Sequence, residues 1–314
     1  MTEILLNALV PIFAVMALGY CAGWIRDIDN HHVGELNALV MDFALPASLF
    51  VSTAATSRAL LLAQWPLLLV FSLSMLALYA LSYWMQRHLF GLESSEASVQ
   101  AITISLPNYA AAGLPLIAAV FGASGRIYVA LSIATGSILL SPLTLAILES
   151  SQAPENTSTN FSVILRAFGR SFYKPIVLGP IAGIVFSLLG VPLPEAVIRS
   201  LQLIGQAAGG VALFLTGLIL SAQRIELGPN VLSGTLLKNV VHPLLVVALI
   251  LALPIEGGTA RAALLLGALP SGFFGVLFGL RYGVESHVAG STLIVSSLAS
   301  IVTLSIALVL TAAW

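Results

Sequence analysis

The sequence predicts an all-α membrane protein in which ten transmembrane helices form two inverted five-helix repeats, with helices 4 and 9 broken and crossed. Three observations carry this expectation. The chain of 314 residues is 59% hydrophobic and only 8% charged, with a mean hydropathy of +1.04. A soluble domain holds roughly a quarter charged residues, so lipid must cover most of this surface. The chain contains ten apolar runs of about 20 residues, the length that crosses a bilayer as a helix. Landmarks of the first half also recur in the second half at a nearly constant spacing.

The first run, 4–25, has no basic residue ahead of it and no small-residue cleavage site behind it, so it reads as a span and not as a cleavable signal. Cys21 is the only cysteine, cannot form an internal disulfide, and reads as a small packing residue. The second run, 36–56, carries Asp42 and Pro46, and the third covers 60–84. The fourth, 99–121, is interrupted by Pro107 and again by Pro115. The fifth, 127–148, places Ser137, Ser141 and Thr144 on one helical face. A polar stretch at 149–172, beginning "ESSQAPENTSTN", then divides the spans five and five.

The sixth run, 173–190, opens near Pro175, and the seventh, 196–222, holds "GQAAGG" from Gly205 to Gly210. Such small residues permit close approach of another helix or of a ligand. The eighth, 231–253, sets Lys238 and His242 one turn apart, and the ninth, 261–280, breaks at Pro270 with Gly272 and Gly275 behind it. The tenth, 288–312, repeats the hydroxyl stripe with Ser296, Ser300 and Thr303. Runs of this length are helical, because strands of a membrane barrel would be about ten residues with alternating polarity.

"PIF" at Pro11 recurs as "PIV" at Pro175, and "PASLF" ending at Phe50 recurs as "GVALF" ending at Phe214, both at an offset of 164. "LPN" around Pro107 recurs as "LPS" around Pro270 at 163, and the hydroxyl stripe recurs at 159. A repeat with an odd number of spans must enter the membrane from the opposite side in its second copy. Residues 1–148 and 173–314 are therefore expected to be inverted copies joined by a linker at 149–172. Inverted repeats with broken helices are a transporter architecture. With the first residue outside, eight basic residues fall on the inner side (Arg26, Arg87, Arg166, Arg170, Lys174, Arg224, Lys238, Arg281) and four on the outer side (Arg58, Arg126, Arg199, Arg261). This distribution places both termini outside and the linker in the cytoplasm. A net charge of −1 suggests no nucleic-acid partner.

The breaks point to a site. Pro107 and Pro270 each remove an amide donor and clash with a carbonyl one turn earlier. Freed backbone groups at membrane depth are tolerated only inside protein or beside a watery cavity. If the two breaks cross, half-helix N-termini meet there and present partial positive charge suited to an anion. The expected substrate-binding residues are Pro107, Asn108, Tyr109, Pro270, Ser271 and Gly272. Asp42, Lys238, Ser141 and Ser300 are the expected polar or coupling residues. Lys238 reads three ways: as a counter-charge to a substrate carboxylate, as a partner of Asp42, or as a snorkelling interface residue. His242 reads as a structural hydrogen-bonder. His31 and His32, near Asp27 and Asp29, lack metal-site spacing, and Arg281 and Glu285 read as loop charges flanking the ninth span. No metal, cofactor or catalytic constellation is expected.

The stretches "LPNYAAAGLPL" followed by "FG", "LNALVMDFALPASLF", "LLKNVVHPLL" and "ALPSGFFGVLFGLRYGV" resemble the auxin efflux carrier family over essentially the whole chain. That family includes plant exporters and bacterial carriers of malonate or other small organic acids, and the "PNYAAAGLPL" form is similar to the malonate-carrier branch. The resemblance implies a fold like that of the antiporter NhaA and the bile-acid symporters, with spans 1, 2, 6 and 7 as a scaffold and spans 3–5 and 8–10 as a moving transport domain. It implies that Asn108 contacts a substrate carboxylate. Ser271 stands where the plant exporters carry glutamine, and Tyr109 replaces a smaller residue, so auxin itself is not the expected substrate. The expected function is secondary transport of a small organic anion, such as malonate or another mono- or dicarboxylate. Transport would cross the bacterial inner membrane by elevator-like alternating access, with a homodimer formed through the scaffold. The alternative is a cation/proton antiporter of related fold, which should hold an acidic residue at the crossing.

Overall fold

Helix follows helix along the chain, and no strand occurs among the described residues, which are 2–26, 28, 33–151, 165, 169, 172–222, 225–253, 255–284 and 286–312 of the computed structural model. In order these are α1 (Thr2–Trp24), α2 (Val33–Ala54), α3 (Trp65–His88), α4 (Ser94–Ser105), α5 (Leu114–Phe121), α6 (Arg126–Ser151), α7 (Pro175–Leu189), α8 (Glu195–Ser221), α9 (Pro229–Ala252), α10 (Gly257–Gly267), α11 (Phe274–Arg281) and α12 (His287–Ala312). His31, His32, Asp27, Asp29, Arg224, Glu285 and most of the 149–172 linker lie outside the described residues.

Six of these helices, α2, α3, α6, α8, α9 and α12, are long and apolar enough to cross a membrane without interruption. The fourth and ninth apolar runs are each divided in two, as their prolines require. At 12 and 8 residues, α4 and α5 span about 18 and 12 Å, and neither alone crosses a core about 30 Å thick. The third run begins later than its hydropathy suggests. Ser57 accepts from the Leu60 amide and caps a short separate helix, Arg58–Ala63, before Pro66 starts α3.

Three widened π turns were not anticipated: Leu39–Ala44 in α2, Leu237–Val241 in α9 and Tyr109–Gly113 leading into α5. Each ends two residues before a proline, at Pro46, Pro243 and Pro115 respectively. A proline inside a helix collides with the carbonyl of residue i−4 and offers no donor to it. One extra residue in the preceding turn moves that carbonyl aside, so the helix bends without ending. Each proline therefore marks a bulge as well as a kink.

The helix pairs α1 with α8 and α2 with α7 pack almost backbone to backbone. A Cβ on Gly19 would strike the carbonyl of Phe214, and one on Gly183 would strike the carbonyl of Phe50 and the hydroxyl of Thr53. These are equivalent contacts, because Gly19 and Gly183 differ by 164 positions, as do Phe50 and Phe214. The carbonyl of Met16 fills the space beside Gly217, and Thr53 donates to the Pro180 carbonyl at 3.3 Å. Those pairs share the same offset. The repeated sequence landmarks thus correspond to repeated contacts. In contrast, Cys21, expected as a small packing residue, is exposed on α1.

Gly217 tests this packing. Gly217→Ala places a methyl against backbone that cannot rotate away, and overpacking of this kind costs about 1–3 kcal/mol. Gly210, in the same helix, has open space where a Cβ would stand. Thermal unfolding in detergent should show a clear loss for Gly217→Ala and none for Gly210→Ala. Equal responses would remove the close-approach argument.

Candidate functional site

α4 ends at Ser105, and Leu106 turns extended, with φ −101° and ψ 105°. The chain then pairs with the break between α10 and α11. Pro107 and Ser271 form an antiparallel bridge, the one such pairing among the described residues. The Asn108 amide donates to the Pro270 carbonyl at 3.0 Å, and the Gly272 amide donates to the Thr103 carbonyl at 3.2 Å. The carbonyls and amides released by the two prolines thus satisfy one another across the crossing. Gly272 is required there because its Cβ would overlap the Leu106 carbonyl. Gly275 lets α11 lie on α4 at Thr103 and Val99 in the same way.

The geometry brings together all six residues expected to bind substrate. Asn108 and Tyr109 are buried, and Ser271 is fully buried. The Tyr109 ring meets Phe71 edge-on at 5.8 Å, and neither the Tyr109 hydroxyl nor the Ser271 hydroxyl has a hydrogen-bond partner among the described residues. A small pocket lies against Leu106–Ala110, Ile133, Phe273 and Phe274, with room for about one water molecule. The turn leading into α5 begins at this pocket, as does α11, so two helix N-termini converge on it. Small residues keep α8 close without filling the space, since a Cβ on Gly209 would come only within 3.9 Å of the Ala110 carbonyl. Gly205, by contrast, packs tightly on the backbone of Ser48, so "GQAAGG" serves helix packing at one end and the crossing at the other.

Asn239 is the residue that sequence reasoning missed. The Ser271 amide donates to the Ser296 hydroxyl at 2.9 Å, and that hydroxyl donates to Asn239 Oδ1 at 2.6 Å. Asn239 Nδ2 then donates to the Ser296 carbonyl at 3.0 Å and to the Thr303 hydroxyl at 3.3 Å. The second break is therefore held by a network from α9 and α12. Its counterpart in the first half is Thr144, which donates to the Tyr79 hydroxyl at 3.1 Å. Thr144 to Thr303 is an offset of 159 and Tyr79 to Asn239 is 160, which was the signal available in the sequence.

The expected polar and coupling residues divide. Ser141, with Ser137, is buried and has no hydrogen-bond partner among the described residues. Ser300 donates to the Ser297 carbonyl of its own helix and is absorbed locally. Asp42 is partly exposed and pairs with Arg281 of α11 at 2.5 Å, away from Lys238. Lys238 is fully buried and does not snorkel. Its Nζ lies 2.5 Å from His242 Nδ1 and donates to the Gly267 carbonyl at 3.0 Å. Among the described residues no cluster of metal-ligating side chains occurs.

A second cavity of about 270 Å³ opens at the end of the bundle that carries Val33 of α2 and Ile219 of α8. It runs between those helices and Val99 of α4 and Val276 of α11, with His287 at its rim. Polar links lie at this end too, one between α2 and α11 and one between α6 and the start of α7. Asn37 Nδ2 donates to the Leu277 carbonyl at 2.9 Å, and Lys174 pairs with Glu149 at 2.8 Å.

A family profile described as membrane transport protein matches residues 4–308. The chain is 29% identical over 307 residues to the "uncharacterized transporter YfdV" of Escherichia coli (strain K12), covering 96% of each. It is 26% identical over 310 residues to the "putative malonate transporter" of Rhizobium meliloti (strain 1021), covering 94% of this chain and 92% of that one. It is 23% identical over 351 residues to auxin efflux carrier component 8 of Arabidopsis thaliana, covering 95% and 94%.

Proposed function

The chain belongs to the membrane transport protein family, that of the auxin efflux carriers, and from that premise we propose that it is a secondary transporter of a small carboxylate, bound at the crossing and moved by alternating access. One observation carries this reading. Two helix N-termini meet a small, largely apolar pocket lined by Asn108 and the buried Tyr109, one residue from the crossing at Ser271, and the pocket widens to admit a carboxylate. Convergent amide dipoles and neutral donors attract an anion without a fixed cation that would hold it too long. The apolar walls from Ile133, Phe273 and Phe274 favour an organic anion over a fully hydrated ion. No carboxylate lines the pocket among its described residues, whereas a cation antiporter would need one. The relative named for malonate supports a mono- or dicarboxylate as substrate.

In this reading the chain crosses the inner membrane ten times as two inverted five-span repeats, with both termini outside. The glycine-locked pairs α1–α8 and α2–α7 form the scaffold, and α3–α6 with α9–α12 form the transport domain. The Asp42–Arg281 and Lys174–Glu149 pairs and the Asn37–Leu277 bond tie the two groups at one end, so they break in each cycle. A homodimer would bury the apolar groove of the scaffold, where Phe43, Leu178 and Ile204 are exposed.

The test is thermal unfolding of the purified protein with acetate, malonate and succinate. At least one of them is expected to raise the unfolding temperature in proportion to the logarithm of its concentration. Stabilisation by sodium or lithium alone, with no anion effect, would overturn the proposal in favour of an antiporter.

A further inference from the structure

Lys238 and His242 are both fully buried in α9 and are not used by the anion seat as described. The carbonyl that Lys238 reaches, that of Gly267, belongs to the last turn of α10, three residues before Pro270. The Lys238 amine therefore sits at the negative end of a half-helix, where a cation is favoured. Lys238 is also adjacent to Asn239, whose partner Ser296 holds the Ser271 amide. Among the described residues no ion pair reaches Lys238. A permanent charge buried in that position is costly, and the geometry offers an alternative.

The hydrogen inventory excludes the doubly protonated pair and leaves two net charges, +1 and 0. Gly267 offers only an acceptor, so Nζ gives it one N–H. An ammonium and an imidazolium cannot face each other at 2.5 Å, since both only donate. In the charged state an ammonium donates to Nδ1 of a neutral imidazole whose proton is on Nε2. In the neutral state either an amine lone pair accepts from Nδ1–H with Nε2 bare, or an amine N–H donates to Nδ1 of the Nε2–H tautomer. The states differ by one proton and by no movement of heavy atoms. From the Nδ1–H tautomer interconversion is a relay: hydronium gives its proton to Nε2 and leaves as water while the Nδ1 proton passes to Nζ, turning NH2 into NH3+; from the Nε2–H tautomer the proton joins Nζ directly. His242 Nε2, where the proton enters the relay, has no hydrogen-bond partner among the described residues.

We propose that the Lys238–His242 pair is a proton-binding site coupled to the crossing, taking up one proton when a carboxylate binds there. This rests on the reading of the crossing as an anion seat. Negative charge at the seat stabilises the charged pair, and by linkage the charged pair strengthens anion binding by the same factor. The other ionisable side chains on helices packed against α9 are Tyr79, Tyr83, Arg87 and His88 of α3, Glu96 of α4, Arg261 of α10 and His287 of α12. Among the described residues none of them makes a hydrogen bond or ion pair with Lys238 or His242.

The experiment measures binding of acetate, malonate and succinate to the wild-type protein from about pH 7 to about pH 9, where these probes stay ionised. Proton uptake is followed by an indicator dye in weak buffer. Affinity is expected to fall about tenfold per pH unit once the pair has lost its proton, with about one proton taken up per anion bound. The double variant Lys238→Gln/His242→Gln should bind the same anion weakly, with no pH dependence and no proton uptake. Flat wild-type affinity without proton uptake overturns the proton site and leaves the anion seat standing, as does a double variant that keeps the pH dependence. Failure of all three anions to bind overturns both. If the double variant does not fold, the wild-type proton count decides alone.

Discussion

Gly272→Val is expected to abolish carboxylate transport and to lower the unfolding temperature. The added β-carbon would overlap the carbonyl of Leu106, and that carbonyl is backbone in an extended segment pinned on both sides. Relief requires the two breaks to separate. Separation disrupts the Asn108–Pro270 and Gly272–Thr103 hydrogen bonds and leaves their groups unpaired at membrane depth. Overpacking costs about 1–3 kcal/mol, and each buried backbone group left without a partner adds about 1–3 kcal/mol. The sum is a large share of a typical folding free energy, and it falls on the element that carries the proposed seat. Gly34→Val is the control, because a Cβ at Gly34 meets nothing within 4 Å. Uptake into vesicles by Gly272→Val at the wild-type rate would remove the crossing from the mechanism.

Much of this crossing is legible in the sequence, for a physical reason. Proline and glycine act through their own backbones, so Pro107, Pro270 and Gly272 announce a break and a close approach wherever they stand. Repetition then tells which breaks belong together. The offset that relates Phe50 to Phe214 as letters also relates the contacts these residues make with Gly183 and Gly19. Partners of side chains are another matter. Asp42 meets Arg281 and Lys238 meets the end of α10, and in neither case does local pattern disclose a contact made by distant chain. Asn239 is masked in the sequence by its ionisable neighbour Lys238, the costlier group to bury. The π turns were hidden for a subtler reason. A proline within an apolar run signals a kink, and the accommodation one turn earlier depends on space that only the packed bundle supplies.

The second large effect distinguishes an anion seat from a cation seat. Asn108→Asp changes one amide to a carboxylate of nearly equal shape, at the start of the turn leading into α5. If the seat receives a carboxylate, two negative charges then stand about 4 Å apart, and at an effective dielectric constant of about 20 their repulsion is about 4 kcal/mol. That weakens binding by roughly a thousandfold. Asn108→Ala removes a donor without adding charge and should weaken binding by about 10- to 150-fold, matching the loss of a hydrogen bond to a charged group worth about 1.5–3 kcal/mol. The order wild type, alanine, aspartate in affinity is thus the expected result, measured by titration of the stabilising carboxylate in detergent. The aspartate would be stabilised by the same helix N-termini that favour the substrate, so the folded protein should tolerate it. An aspartate variant that binds the carboxylate as well as the alanine variant, or that gains a response to sodium or protons at the crossing, would show that the converging helix ends do not seat an anion.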